Sequence, residues 1–98
     1  MKIELLDQIN ALVTAPQPDA GQVERTLTDG YAQALSLEAE KWRLEKRRAE
    51  VADEIHRGDM AQKAAELAAI ARRLDGNAHD LVRLRALLVK LRRRLQPS

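Results

Sequence analysis

The 98-residue chain has no cysteine and no phenylalanine, and it contains one tryptophan and one tyrosine. Without cysteine there are no disulfides and no thiolate metal ligands. No apolar run approaches the roughly twenty residues of a membrane-spanning helix. β-Branched residues are few and never alternate with polar ones over a short segment, so the sequence predicts no strand. These absences favour an all-α fold.

Alanine, leucine, arginine and glutamate dominate instead, and all four are strong helix formers. Their mixture is typical of long helices and coiled coils. Residues 1–98 are predicted to form a single helical domain. A domain this small buries a modest core, and oligomerisation is one way of adding to it.

A heptad repeat runs through the second half of the chain. Every seventh residue is apolar at Met60, Leu67, Leu74, Leu81, Leu88 and Leu95. A second series, four residues further on, is predicted to complete the seam and comprises Ala64, Ala71, Ala78, Arg85 and Arg92. A seam this long needs a second helix to pack against. The repeat keeps its phase through Gly76 and Asn77, so we predict a continuous helix, with Gly76 leaving space for Trp42 to approach. The alternative is a helix split at Gly76, with Asn77 capping its second part.

Two breaks divide the rest of the chain. Pro16 and Pro18 cannot lie inside a helix, and Asp19 after them has Gln22 three residues on, as in a capping box. Gly58 suits the left-handed position after a helix end. The predicted helices are helix 1 at about 3–13, helix 2 at about 19–57 and helix 3 at about 60–95.

The tight turn at Gly58 is predicted to fold helices 2 and 3 antiparallel. Helix 2 has a matching seam, made of Val23, Gly30, Leu37, Leu44 and Val51 with Leu27, Ala34, Lys41, Arg48 and Ile55. The predicted fold is therefore a long, coiled-coil-like antiparallel helical hairpin, with the short helix 1 packed on one end as a three-helix bundle. This register also predicts ion pairs between Lys41 and Asp75, Arg48 and Glu66, Arg92 and Glu24, and Arg85 and Asp29.

Helix 1 is expected to cover Tyr31 and Leu35 and barely to reach Trp42. It would also pack on apolar residues of helix 3 outside the seam, namely Val82, Leu84, Leu87, Val89 and Leu91. Tyr31, Leu35 and Trp42 form a stripe off the helix 2 seam, and a tryptophan on such a face is a candidate interface anchor. Two interpretations stay open. In the first, Trp42 is buried by helix 1 or at Gly76; in the second, the stripe binds a partner.

The charge is uneven along the chain. Residues 1–40 hold seven acidic and two basic residues, whereas residues 41–98 hold eight acidic and fifteen basic ones. A candidate basic patch without any acidic residue comprises Arg83, Arg85, Lys90, Arg92, Arg93 and Arg94. Clustered arginines can neutralise phosphates. Because the hairpin lays the acidic start of helix 2 beside them and no aromatic residues interleave, an internally matched face is the preferred interpretation.

Nothing in the sequence points to catalysis. His56 and His79 fall on different predicted helices, and the predicted hairpin does not bring the two histidines close to each other. The sequence has no Glu-x-x-His spacing, glycine-rich phosphate loop or GxSxG nucleophile. We therefore expect no enzyme activity, no catalytic residue, no cofactor, no metal site and no small-molecule ligand.

The polar face of helix 1 carries Glu4 and Asp7, which anionic lipid would repel, so no membrane partner is expected. The same two acids interrupt the first ten residues, so no signal peptide is predicted and a cytoplasmic location is the default. The expected function is a protein–protein interaction or assembly module that forms a homodimer or binds a helical partner. The alternative is a nucleic-acid-associated or regulatory protein that uses the basic patch.

Overall fold

The computed structural model describes residues 3–55 and 60–95, and within these ranges it contains three helices and no strand. The helices are α1 (Ile3–Thr14), α2 (Ala20–Ile55) and α3 (Met60–Arg93). The two long helices pack most closely against each other, and α1 packs on both. The predicted fold, a helical hairpin with a short helix, is confirmed. The predicted turn at Gly58 lies outside the described residues.

The start of α2 follows the predicted capping pattern. The backbone N–H of Gln22 donates a hydrogen bond of 3.1 Å to Oδ2 of Asp19, and the N–H of Val23 donates one of 2.9 Å to the carbonyl of Asp19. The first bond satisfies a donor that the helix leaves without an intrahelical partner in its first turn, and the second is the first i to i−4 bond of the helix. Asp19 therefore fixes where the chain re-enters a helix after the two prolines.

The α3 seam differs from the prediction in its second series. The alanines proposed for that series, Ala64, Ala71 and Ala78, are exposed, as are Arg85 and Arg92. The buried residues lie three positions after the leucines instead of four, and they are Ile70, Asn77, Leu84 and Leu91. Helical periodicity permits either spacing, and burying Ile70, Leu84 and Leu91 avoids desolvating two guanidinium groups. Met60, the first member of the leucine series, is also exposed.

The core has two parts. At the end that carries α1, here called the base, it comprises Leu5, Leu6, Ile9, Leu12, Val23, Leu27, Leu37, Leu81, Leu84, Leu88 and Leu91. Towards the other end, here called the arm, it comprises Leu44, Val51 and Ile70, with the half-buried Leu67 and Leu74. The base therefore buries much more apolar surface than the arm.

Asn77 lies in the seam between these two clusters and is 5% exposed. Its Nδ2 donates a hydrogen bond of 2.8 Å to the backbone carbonyl of Leu37. Its buried Oδ1 has no hydrogen-bond partner among the described residues. A polar side chain at one position of a helical seam favours a single register, because a shifted register would leave its amide unbonded.

The position of α1 corrects a second prediction. Its buried residues face the seam between α2 and α3, with Leu5 beside Ala32 of α2 and Leu6 beside Leu87 of α3 along its two flanks. Helix α1 does not cover Tyr31 and Leu35, because this packing places it on the opposite side of the hairpin.

Gly30 and Gly76 differ in what surrounds them. A Cβ on Gly30 would overlap Cδ2 of the buried Leu88, so this glycine permits close approach of α2 and α3. A Cβ on Gly76 would have no atom within 4 Å. Helix α3 runs unbroken through Gly76 as predicted, but the predicted approach of Trp42 to this glycine is wrong.

The ion pairs across the hairpin also differ in detail from the predicted ones. Glu66 pairs with Arg47, at 2.8 Å, and not with its exposed neighbour Arg48. Arg85 pairs with Glu38. Arg73 lies 3.4 Å from Glu40 in a further pair. The antiparallel register is close to the predicted one, but its ion pairs use other residues than those predicted.

Candidate interaction surface

The side of the hairpin opposite α1 carries an apolar surface, here called the open face. It comprises Tyr31, Leu35 and Trp42 of α2 and Val82 and Val89 of α3, which are 45%, 72%, 66%, 71% and 52% exposed. Leu35 and Trp42 are seven residues apart, as are Val82 and Val89, so each pair lies on one side of its helix. Exposed apolar surface is unremarkable when scattered, but five large side chains on one face are typical of an interaction site.

A shallow groove of about 490 Å³ lies in the base part of the open face. Its floor is apolar and consists of Tyr31, Ala34, Leu88 and Val89. Three arginines, Arg85, Arg92 and Arg93, lie along its edge. Among the described residues, Glu38 neutralises Arg85, and no acidic side chain lies within 4 Å of the other two. The groove therefore combines an apolar floor with a positive rim.

Trp42 projects from α2 in the arm part of the open face. The Nζ of Lys46 lies 5.9 Å from the centre of the indole ring, a cation–π contact one helical turn away. No side chain of α1 or α3 hides this ring, because two thirds of the residue is exposed. Of the two readings that the sequence left open, burial of Trp42 by helix 1 or at Gly76 is therefore wrong.

The six residues of the candidate basic patch do not share one surface. Arg83 and Lys90 line a groove beside α1, together with Asp7. Three others lie along the open face, as described above. The guanidinium of Arg94 donates hydrogen bonds to the carbonyls of Ala15 and Pro16. The cluster is continuous in sequence but is divided among three directions, and Arg94 ties the linker between α1 and α2 to the end of α3.

A cluster of charged side chains lies on the α1 side of the arm. Arg47 Nε donates a hydrogen bond of 2.8 Å to Glu66 Oε1, and Lys63 Nζ lies 2.8 Å from Glu54 Oε2. Arg47 also lies 3.3 Å from Glu50 and 3.5 Å from Glu54. The cluster joins α2 to α3 beside the arm core.

These contacts lower the pKa values of two carboxyl groups, those of Glu54 and Glu66. The Lys63 ammonium holds the pKa of Glu54 below its usual range, and the guanidinium of Arg47 does the same for the pKa of Glu66. The carboxylate of Glu54 raises the pKa of Lys63. All of these side chains remain partly exposed to water, so the cluster positions the two helices more than it stabilises them.

Acidification is expected to weaken the hairpin through this cluster. Since the pKa values of Glu54 and Glu66 are lower in the folded state, their stabilisation is present above the unfolded value of about 4.3 and is lost as the pH falls through the folded values. Since the pKa of Lys63 is raised, its contribution is lost only as the pH rises through the folded value, above about 10.4. Urea midpoints measured against pH should therefore fall at both extremes.

The matched variant for this test is Glu54→Gln combined with Glu66→Gln. It should lose part of the acid dependence, and 1 M salt should reduce the dependence of the wild type because it screens exposed ion pairs. Identical acid limbs for wild type and variant would contradict the role assigned to the cluster.

Comparisons with protein-family models, with curated proteins and with solved structures found no match. In residues 3–55 and 60–95, no helix is long and apolar enough to cross a membrane. Nor do the described residues contain a group of three or more histidine, aspartate or glutamate side chains placed to hold a metal ion. The open face is thus the feature of the described chain from which a function can be argued.

Sequence reasoning singled out three of the five open-face residues and missed the other two. Val82 and Val89 were expected beneath helix 1, because their apolar character was assigned to that contact. Their spacing of seven residues, the same as that of Leu35 and Trp42, was the available signal. It indicates two parallel apolar stripes on one side of the hairpin.

Proposed function

We propose that this chain is a non-enzymatic protein–protein interaction module that self-associates through the open face. The observation that carries the proposal is the exposure of Trp42, which is 66% accessible on a helix whose heptad series from Val23 to Val51 is already buried. Large aromatic side chains contribute disproportionately to binding energy at interfaces. Association would remove Trp42 and its apolar neighbours from water.

The small core supports the same proposal. Among the described residues, the buried core of the arm comprises three apolar residues, and the base depends on the short helix α1 for much of its core. A helix as short as α1 is marginal by itself and gains its stability from packing. Covering a second apolar face of the hairpin would stabilise the fold further, as oligomerisation does for other small domains.

Nucleic-acid binding through the basic patch, the alternative reading, gains no specific support. Arg83 and Lys90 lie beside α1, Arg94 binds the linker, and Arg85 is paired with Glu38. A phosphate backbone would find a smaller continuous basic surface than the sequence suggests. We therefore propose self-association and not nucleic-acid binding.

Light scattering over a range of concentrations should give a mass approaching twice the 11.0 kDa of the monomer. Trp42→Ala removes an anchor from each copy of the dimer, so it should weaken dimerisation by about a thousandfold, corresponding to roughly 2 kcal/mol for each of the two interface anchors. The matched control is Ile3→Ala, which removes another exposed apolar side chain, one on α1. It should leave the dissociation constant unchanged. A monomer at every concentration would overturn the proposal.

A further inference from the structure

The open face carries both a projection and a depression. Trp42 projects in its arm part, and the groove over Tyr31 and Val89 lies in its base part. Eleven residues separate Trp42 from Tyr31 on the same helix, or about 16 Å at 1.5 Å per residue. A surface that carries a projecting side chain (the knob, Trp42) beside a groove (the hole) can pair with a second copy of itself.

We infer that two copies of the chain pair antiparallel about a two-fold axis through the open face, with Trp42 of each copy filling the groove of the other. This inference rests on the proposed function and specifies its geometry. The two-fold axis lies in the plane of the interface and is perpendicular to the long axis of the hairpin. It places the knob of each copy over the groove of the other, so one arrangement fills both grooves. It also closes the assembly at two copies, since no unfilled groove remains.

The residues between knob and groove fit this arrangement. The axis would pass midway between Tyr31 and Trp42, close to the level of Leu35. Val82 of α3 lies six residues before Leu88, which is level with Gly30, so Val82 is also close to that midpoint. Leu35 and Val82 are the two most exposed residues of the open face. At the axis they would contact the same residues of the second copy.

One pair of opposite charges along the interface also fits this arrangement. Because the axis reverses the second copy, its α2 would run in the same direction as α3 of the first copy. In this dimer Trp42 of one copy lies level with Leu88 in the groove of the other. Glu45 follows Trp42 by three residues and Arg92 follows Leu88 by four, so Glu45 of one copy would lie close to the level of Arg92 of the other. Arg92 has no acidic partner among the described residues. The second copy would provide one at the rim of the groove.

The opposite side of the hairpin would stay free in this dimer. Helix α1 and the charged cluster around Arg47 both lie on that side. The intramolecular contacts on that side of the hairpin are therefore unaffected by pairing.

Cross-linking tests this geometry cleanly, because the chain has no cysteine of its own. One batch of protein carries Glu45→Cys and a second carries Arg92→Cys, and the two are mixed and treated with a short thiol–thiol cross-linker. Within one copy these positions are about 28 Å apart along the hairpin, so a link between them joins two copies. The mixture should give a high yield of the Glu45→Cys to Arg92→Cys product.

The matched control replaces Arg92→Cys with Lys90→Cys. Lys90 lies on the same turn of α3 but beside α1. Its yield should be several-fold lower, with all three variants showing wild-type helix content by circular dichroism. A dimer by light scattering with equal yields for the two pairs would overturn the knob-and-groove geometry alone. A mass of one copy throughout would overturn the proposed function as well.

Discussion

Replacing Leu84 with alanine is expected to lower the free energy of unfolding by about 3 kcal/mol. Leu84 is fully buried in the base core, where α1, α2 and α3 meet. Removing its isobutyl group loses the transfer free energy of the missing carbons and leaves a cavity that three packed helices cannot fully close. Urea denaturation followed by circular dichroism should show the loss as a lower midpoint with an unchanged slope.

Val82→Ala is the matched control, two residues away on the same helix. Val82 is 71% exposed, so its truncation should change the free energy of unfolding by less than about 0.5 kcal/mol. The comparison is best made at low protein concentration, where the monomer predominates. Equal effects of the two substitutions would show that Leu84 does not lie in the core described here.

Replacing Gly30 with valine is the second substitution with a large expected effect, a destabilisation of about 3 kcal/mol or more. Any Cβ at this position would overlap Leu88 Cδ2, and Leu88 is only 3% exposed, so its side chain must leave its buried position in the base core to make room. Valine adds two further methyl groups to the overlap. Helices α2 and α3 would have to separate locally, and the melting temperature should drop by more than about ten degrees.

Gly76→Ala is the control for the backbone effect of losing a helical glycine. No atom lies within 4 Å of the added Cβ, so the substitution gains helix propensity without a clash. It should stabilise the protein by about 0.5–1 kcal/mol. If Gly30→Val were as harmless as Gly76→Ala, the close approach of the two helices at Gly30 would be wrong.

Much of the hairpin can be predicted from sequence because its strongest signals are local. The prolines and Asp19 define where α2 begins, and the heptad series from Val23 to Val51 is buried throughout. The second α3 series could not be chosen by periodicity, since a helix offers apolar neighbours both three and four residues away. The choice between the two spacings depends on which residue it buries, because burying Leu84 costs much less free energy than burying the guanidinium of Arg85.

The candidate surface was harder to predict because it depends on where α1 docks. Amphipathicity identifies the buried face of α1 but not the side of the hairpin that receives it. Sequence reasoning placed α1 over Tyr31 and Leu35, where the structure leaves both exposed. The burial of Asn77 was likewise missed, since an asparagine beside a glycine indicates a possible helix break sooner than a hydrogen bond across a seam.

The unequal division of the core at Asn77 has a consequence for length. On the arm side of Asn77, each turn of α2 contacts only the facing turn of α3, and α1 does not reach this part of the hairpin. Seven residues removed from α2 and seven from the facing part of α3 would shorten the rod by about 10 Å and leave the base and its docking helix intact. The long dimension of the molecule, 61 Å, can therefore change in steps of one heptad without altering the base.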